Sequence, residues 1–171
     1  MKILFKNATL IHEKSPFHNQ KKDVLVVDGI LTQIEDQIEN NEATVIAYND
    51  LHLSSGWFDP CVSFGEPGFE ERETLANGLQ TAAKSGFTHI LLNPDTHPAL
   101  DSYTDVSHLL QQAKNYTTAL HISASLSEGS QGENLAPLFE MHKAGALAFG
   151  DFNQTLKNPN LLRIALDYVQ S

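Results

Sequence analysis

The sequence predicts an α/β fold organised on a parallel sheet, and three observations carry that reading. After residue 56, apolar runs of strand length alternate four times with stretches of helical periodicity. The apolar runs are nearly unbroken, as strands covered on both faces require. Before residue 56 there is strand-like alternation with turn signals and no helical pattern.

Residues 2 to 55 read as short strands. "KILFKNATLI" alternates, and "KKDVLVVDGILTQI" is a strand, an Asp-Gly turn and a second strand, the composition a two-residue hairpin needs. "ATVIAYNDLHLSSG" adds another strand and a glycine-bounded loop. Residues 1–55 are therefore expected to form a small β-sandwich-like segment.

From Trp57 the rhythm changes. "WFDPCVSF" is a short strand, and "EERETLANGLQTAAKSG" is a helix with Leu75, Leu79, Ala82 and Ala83 at helical spacing. Acidic residues fall in its first turn and Gly86 at its stop. "THILLNP" and "YTDVSHLLQQAKNY" form the second strand and helix, and "TTALHISASL" and "GENLAPLFEMHKAG" the third pair. "ALAFGD" and "PNLLRIALDYVQS" complete the fourth, with Pro159 suited to open its helix. Four strand–helix units imply right-handed crossovers in one parallel sheet. They make either a small open sheet or half of an eightfold barrel, which as a whole takes about 250 residues.

Charge and cysteine content narrow the function. A formal charge of -10 repels phosphate backbones and anionic lipid, so neither nucleic acid nor a membrane is expected as a partner. The one cysteine, Cys61, excludes an internal disulfide and suits a reducing cytoplasmic setting. The N-terminus lacks the apolar core and cleavage site of a signal peptide. No G-x-x-x-x-G-K phosphate loop and no G-x-S-x-G elbow is present.

The order of motifs from residue 56 onward is more specific. "GWFDPCVSFGEPG", "ETLANGLQTAAKSGFTHILLNPDTHP" and "GENLAPLFEMHKAGALAFGDFN" follow one another. In that order they resemble the dihydroorotases and related cyclic amidohydrolases, with their "G-x-D-x-H-V-H-L-R-E-P-G" loop, "M-P-N-T-x-P" loop and "A-G-A-x-A-F-x-D-D-G" strand. The resemblance covers essentially the whole chain. It implies a (β/α)8 TIM barrel, with 56–171 as its first four βα units and 1–55 as part of a composite β domain. It also implies further ligand histidines after the fifth and sixth strands and an aspartate after the eighth, beyond this sequence.

Position by position, the resemblance marks losses. The two metal-binding histidines of the first strand correspond to Cys61 and Ser63, around Val62. A thiolate binds zinc, but a serine hydroxyl is a poor ligand at neutral pH. The arginine and asparagine that hold the substrate carboxylate correspond to Gly65 and Asp95. The first change removes a bidentate clamp, and the second sets like charge against an anionic substrate. Asp151 stands at or beside the metal-ligand aspartate, while Asp59, Pro60, Glu66, Pro67, Gly68, Thr96 and Pro98 match the pattern.

These correspondences point to a dihydroorotase-like protein of pyrimidine biosynthesis without hydrolytic function, with no cofactor expected. Its role would be that of a scaffold or a subunit for aspartate transcarbamoylase. Sheet edges left open in half a barrel favour homo-oligomers. The alternative is an active zinc amidohydrolase opening dihydroorotate to carbamoyl aspartate through a rearranged site of Cys61, His97 and Asp151 with histidines from a further C-terminal half. Plainer readings exist for each residue: Cys61 as a small apolar side chain, His97 as a surface loop residue, and Asp151 as a loop carboxylate. His121 reads as structural, His52, His108 and His142 as solvated, and Glu66 and Glu70 to Glu73 as a helix N-terminus meeting its dipole.

Overall fold

The computed structural model describes residues 1–169. The chain divides into two compact units, Met1–Ser55 and Gly56–Ser171.

In the first unit, β1 (Lys2–Ile11), β2 (Lys21–Val27), β3 (Ile30–Glu35), β4 (Thr44–Ile46) and β5 (His52–Ser54) form a five-stranded sheet in the order β3-β2-β1-β4, with β5 also on β1. The β2–β3 turn has Asp28 at φ 50° and Gly29 at φ 82°, the double positive φ that an Asp-Gly hairpin accommodates. The strand expected over "ATVIAYNDLHLSSG" is two short strands, parallel to successive parts of β1. Both pair with β1 in the same sheet, giving the N-terminal β segment that was expected.

Leu4, Leu25 and Ile38 form the apolar cluster of this sheet. Buried beside them, Asp23 accepts hydrogen bonds from Lys6 Nζ, from Asn7 N at 2.8 Å and from Ile38 N at 2.9 Å. Burial alone would raise its pKa, but the Lys6 bond and the two backbone N–H groups together outweigh it. The carboxyl therefore titrates below its ordinary range.

The second unit runs β6 (Trp57–Val62), α1 (Leu75–Lys84), β7 (Phe87–Leu92), α2 (Tyr103–Ala113), β8 (Ala119–Ala124), α3 (Leu138–Ala144), β9 (Ala148–Phe149) and α4 (Pro159–Val169). Its strands are parallel in the order β6-β7-β8-β9, each followed by a helix. Ile90 and Leu92 of β7 and Leu120, Ile122 and Ala124 of β8 are buried in a core with Leu75, Leu79, Val106, Leu109 and Met141 of the helices. The intervening residues His89, Leu91, His121 and Ser123 point to the opposite face, as strand alternation dictates.

Three boundaries differ from the sequence reading. Helix α1 begins at Leu75, because Thr74 caps it by accepting from Asn77 N at 3.2 Å. The acidic run 70–73 lies ahead of the helix, yet Glu66 still meets the helix end, accepting from Leu75 N at 2.8 Å. Helix α3 starts only at Leu138, since 128–137 is taken up by a 3-10 turn (Glu128–Ser130), a Ser127–Leu135 bridge and Pro137. Strand β9 is two residues long. No helix among the described residues is long and apolar enough to cross a membrane.

Helix α1 rests on Phe64 through Gly78, where an added Cβ would lie 2.4 Å from the Phe64 ring. In an exposed helix, Gly→Ala stabilises by about 1 kcal/mol. Here Gly78→Ala is expected to destabilise by about 1–3 kcal/mol through overpacking. Urea denaturation checks the sign, and a raised midpoint would show that the Phe64 contact yields.

Candidate functional site

A parallel sheet delivers the C-terminal ends of its strands, and the loops that follow them, to one rim. Cys61, Ser63, Gly65, Asp95, His97 and Asp151 all lie in or just after the ends of β6, β7 and β9. Strand β6 is irregular between Asp59 and Val62, and Asp59 Oδ1 accepts from Cys61 N at 3.0 Å inside that irregularity.

Cys61 and Ser63 reach the same side, and what joins them is Asn93, the residue after β7. Its buried side chain donates from Nδ2 to Ser63 Oγ at 3.2 Å and to Cys61 Sγ at 3.4 Å. Asn93 N bonds to Val62 O at 2.8 Å, which fixes the register that makes this possible. The sequence reading passed over Asn93. Its only signal was a polar residue where the "M-P-N-T" pattern has methionine.

Asp151 is 7% exposed and fully engaged. Its Oδ1 accepts from Leu126 N and Ser127 N, both at 2.9 Å, and its Oδ2 accepts from Ser127 Oγ. Ser127 Oγ in turn accepts from Gly132 N at 2.7 Å. The carboxylate is thus a clasp that holds the loop after β8 against the end of β9.

Gly65 sits in a tight turn, with Phe69 N bonded to Gly65 O at 2.6 Å and Gly65 N to Glu73 O at 3.0 Å. A Cβ at Gly65 would lie 1.9 Å from the Phe69 carbonyl oxygen, so this turn has no room for any side chain. The next loop is held close by: His97 N bonds to Pro67 O at 2.9 Å. At Gly68, with φ 99°, a Cβ would lie 2.0 Å from the His97 carbonyl oxygen.

The fit of a hydrolytic metal follows from this donor set. Cys61 and Ser63 share an N–H donor, whose positive end points at the two atoms a cation would have to contact. Both oxygens of Asp151 already accept from buried donors. Among the described residues, no group of three or more His, Cys, Asp and Glu side chains is placed to hold a metal ion. The described residues of this rim do not by themselves make up a zinc site.

The loops enclose a cavity of about 390 Å³, lined among others by Phe69, Arg72, Asp95, His97, Gln131 and Asn153. Arg72 stacks over Phe69 at 4.2 Å, and Phe69 is tilted against His97 with centroids 6.3 Å apart. Asp95 Oδ1 is buried without a hydrogen-bond partner. Arg72 escaped the sequence reading because it sits inside an acidic run.

On the face of the sheet away from the helices, His89 Nδ1 and His121 Nε2 lie 3.1 Å apart in stacked rings, with Phe58 edge-on to His121. His121 is thereby tied into the structural contacts of this face. Burial, and secondarily the His89 charge, lowers its pKa below the ordinary histidine value.

Two outcomes follow. Asp151→Ala leaves two N–H groups and a hydroxyl without their acceptor, and should cost about 2–4 kcal/mol in urea denaturation; a loss under about 0.5 kcal/mol would remove the clasp role. For His121, the unfolded chain takes up the proton before the folded one does. The stability it contributes is full above the ordinary pKa of about 6.5, and is lost as pH falls from there through the lowered folded value. Melting temperatures between about pH 7 and 5 should fall less steeply in His121→Gln than in the parent, and equal slopes would contradict this.

No family model matches the chain. It is 32% identical over 170 residues to a dihydroorotase of Ruminiclostridium cellulolyticum, covering 98% of this chain and 39% of that protein. To a dihydroorotase of Acetivibrio thermocellus it is 34% identical over 168 residues, covering 97% of this chain and again 39% of the relative. The chain therefore spans about two fifths of the length of the curated relatives it matches. Among solved structures, it superposes on the L-hydantoinase (dihydropyrimidinase) of Arthrobacter aurescens with a TM-score of 0.65 at 20% identity, over 86% of this chain and 32% of that one. That likeness shows the fold, the first half of a TIM barrel behind an N-terminal β segment. The matching sequences, which take in nearly all of this chain, show it to be a relative of the dihydroorotases.

Proposed function

We propose that this chain is a dihydroorotase-like protein of pyrimidine biosynthesis that does not hydrolyse a cyclic amide and serves as a structural subunit. The observation that carries the reading is the Asn93 amide, which donates to Cys61 and Ser63 where the relatives' pattern has two metal-binding histidines. Two further features support it. Both carboxylate oxygens of Asp151 are engaged in loop bonds. The turn at Gly65 has no room for the arginine that would grip a substrate carboxylate.

A metal-bound water is what makes amide attack feasible at neutral pH in such sites, and this rim presents hydrogen-bond donors in its place. The scaffold role fits aspartate transcarbamoylase as a partner, or a second copy of this chain.

Metal analysis and a ring-opening assay test the reading together. Purified chain incubated with zinc and desalted should retain far less than one ion per chain, and dihydroorotate should not open above the uncatalysed rate. Stoichiometric zinc that is lost in Cys61→Ser, accompanied by turnover, would establish the active amidohydrolase instead.

A further inference from the structure

The cavity at the rim is lined by two opposite charges, neither of which is in an ion pair among the described residues. Asp95 Oδ1 is buried and has no hydrogen-bond partner, a costly state for a carboxylate oxygen. Arg72 is exposed, stacks on Phe69 and has no carboxylate partner among the described ion pairs, which leaves its guanidinium to water and to whatever enters the cavity. Both side chains line the same cavity of about 390 Å³, within the range of small-molecule sites. Gln131 and Asn153, also in its wall, each offer a donor and an acceptor.

From this arrangement we infer that the cavity binds a small zwitterion of the amino-acid type, its ammonium on Asp95 and its carboxylate on Arg72. The inference rests on the reading that the rim is no longer a hydrolytic metal centre, because bound metal would reorganise the surrounding groups. The buried oxygen calls for an N–H donor, best a charged one beside a carboxylate, which a simple carboxylate ligand lacks. The guanidinium fork calls for a carboxylate, which a simple amine lacks. One molecule carrying both groups satisfies both residues, and binding becomes a matter of their spacing.

The test is calorimetry on the whole chain with a panel of free amino acids, including glycine, β-alanine, 4-aminobutyrate, aspartate, asparagine and lysine. Butylamine and butyrate serve as single-charge controls. At least one zwitterion should bind with Kd below about 1 mM, a modest affinity for two charge-assisted contacts. Each control should bind at least about ten-fold more weakly. Asp95→Asn, which keeps shape and removes charge, should weaken binding about ten-fold or more, and so should Arg72→Gln. Circular dichroism verifies that each variant is folded.

Failure of every panel member to bind at about 10 mM, controls equal to the zwitterions, or folded variants that bind unchanged would each overturn the inference. Such a failure leaves metal content and ring opening where they stood. Zinc-dependent turnover would instead overturn the functional reading on which the inference rests.

Discussion

Asn93 donates two hydrogen bonds from a buried amide, and the chemistry of the rim turns on where that amide points. A parallel sheet gathers its strand ends at one rim, and polar groups buried there must find partners among themselves or in a ligand. In this chain they find each other. Asn93 takes up Cys61 and Ser63, while Asp151 takes up the backbone of 126–127 and the Ser127 hydroxyl. A site built to bind cations concentrates free acceptors, whereas here the acceptors at 61, 63 and 151 are matched to donors within the protein and only Asp95 Oδ1 is left over.

The same logic separates what the fold requires from what the chemistry required. Residues with structural duties still have them: Gly68 lets one loop pass the His97 carbonyl, Glu66 meets the first free N–H of α1, and Thr96 Oγ1 bonds to Pro98 O at 2.8 Å. The residues at 61, 63, 65 and 95 stand where the resemblance to the dihydroorotases places ligand and substrate contacts. Of these, Asp95 alone is left with a buried atom unsatisfied.

Much of the fold was legible because strand and helix periodicities differ and alternate cleanly after Trp57. What escaped was decided by local hydrogen bonding that periodicity does not register. Thr74 starts α1 several residues after the acidic run, and Pro137 delays α3. Two three-residue strands share β1, where one longer strand was read. At the site, the common orientation of residues 61 and 63 could be read from alternation along one strand. The roles of Asn93 and of the His89–His121 pair could not, because each depends on the register between neighbouring strands. Asp151 was legible as a position but not as a partner, since its bonds run to backbone N–H groups about 25 residues away.

The turn at Gly65 bears on which substitutions this chain tolerates. Its backbone occupies the space a longer residue would use, with the Phe69 oxygen where a first carbon would stand. Any side chain introduced there meets that oxygen before it reaches the cavity, so residue 65 varies only together with the path of the turn.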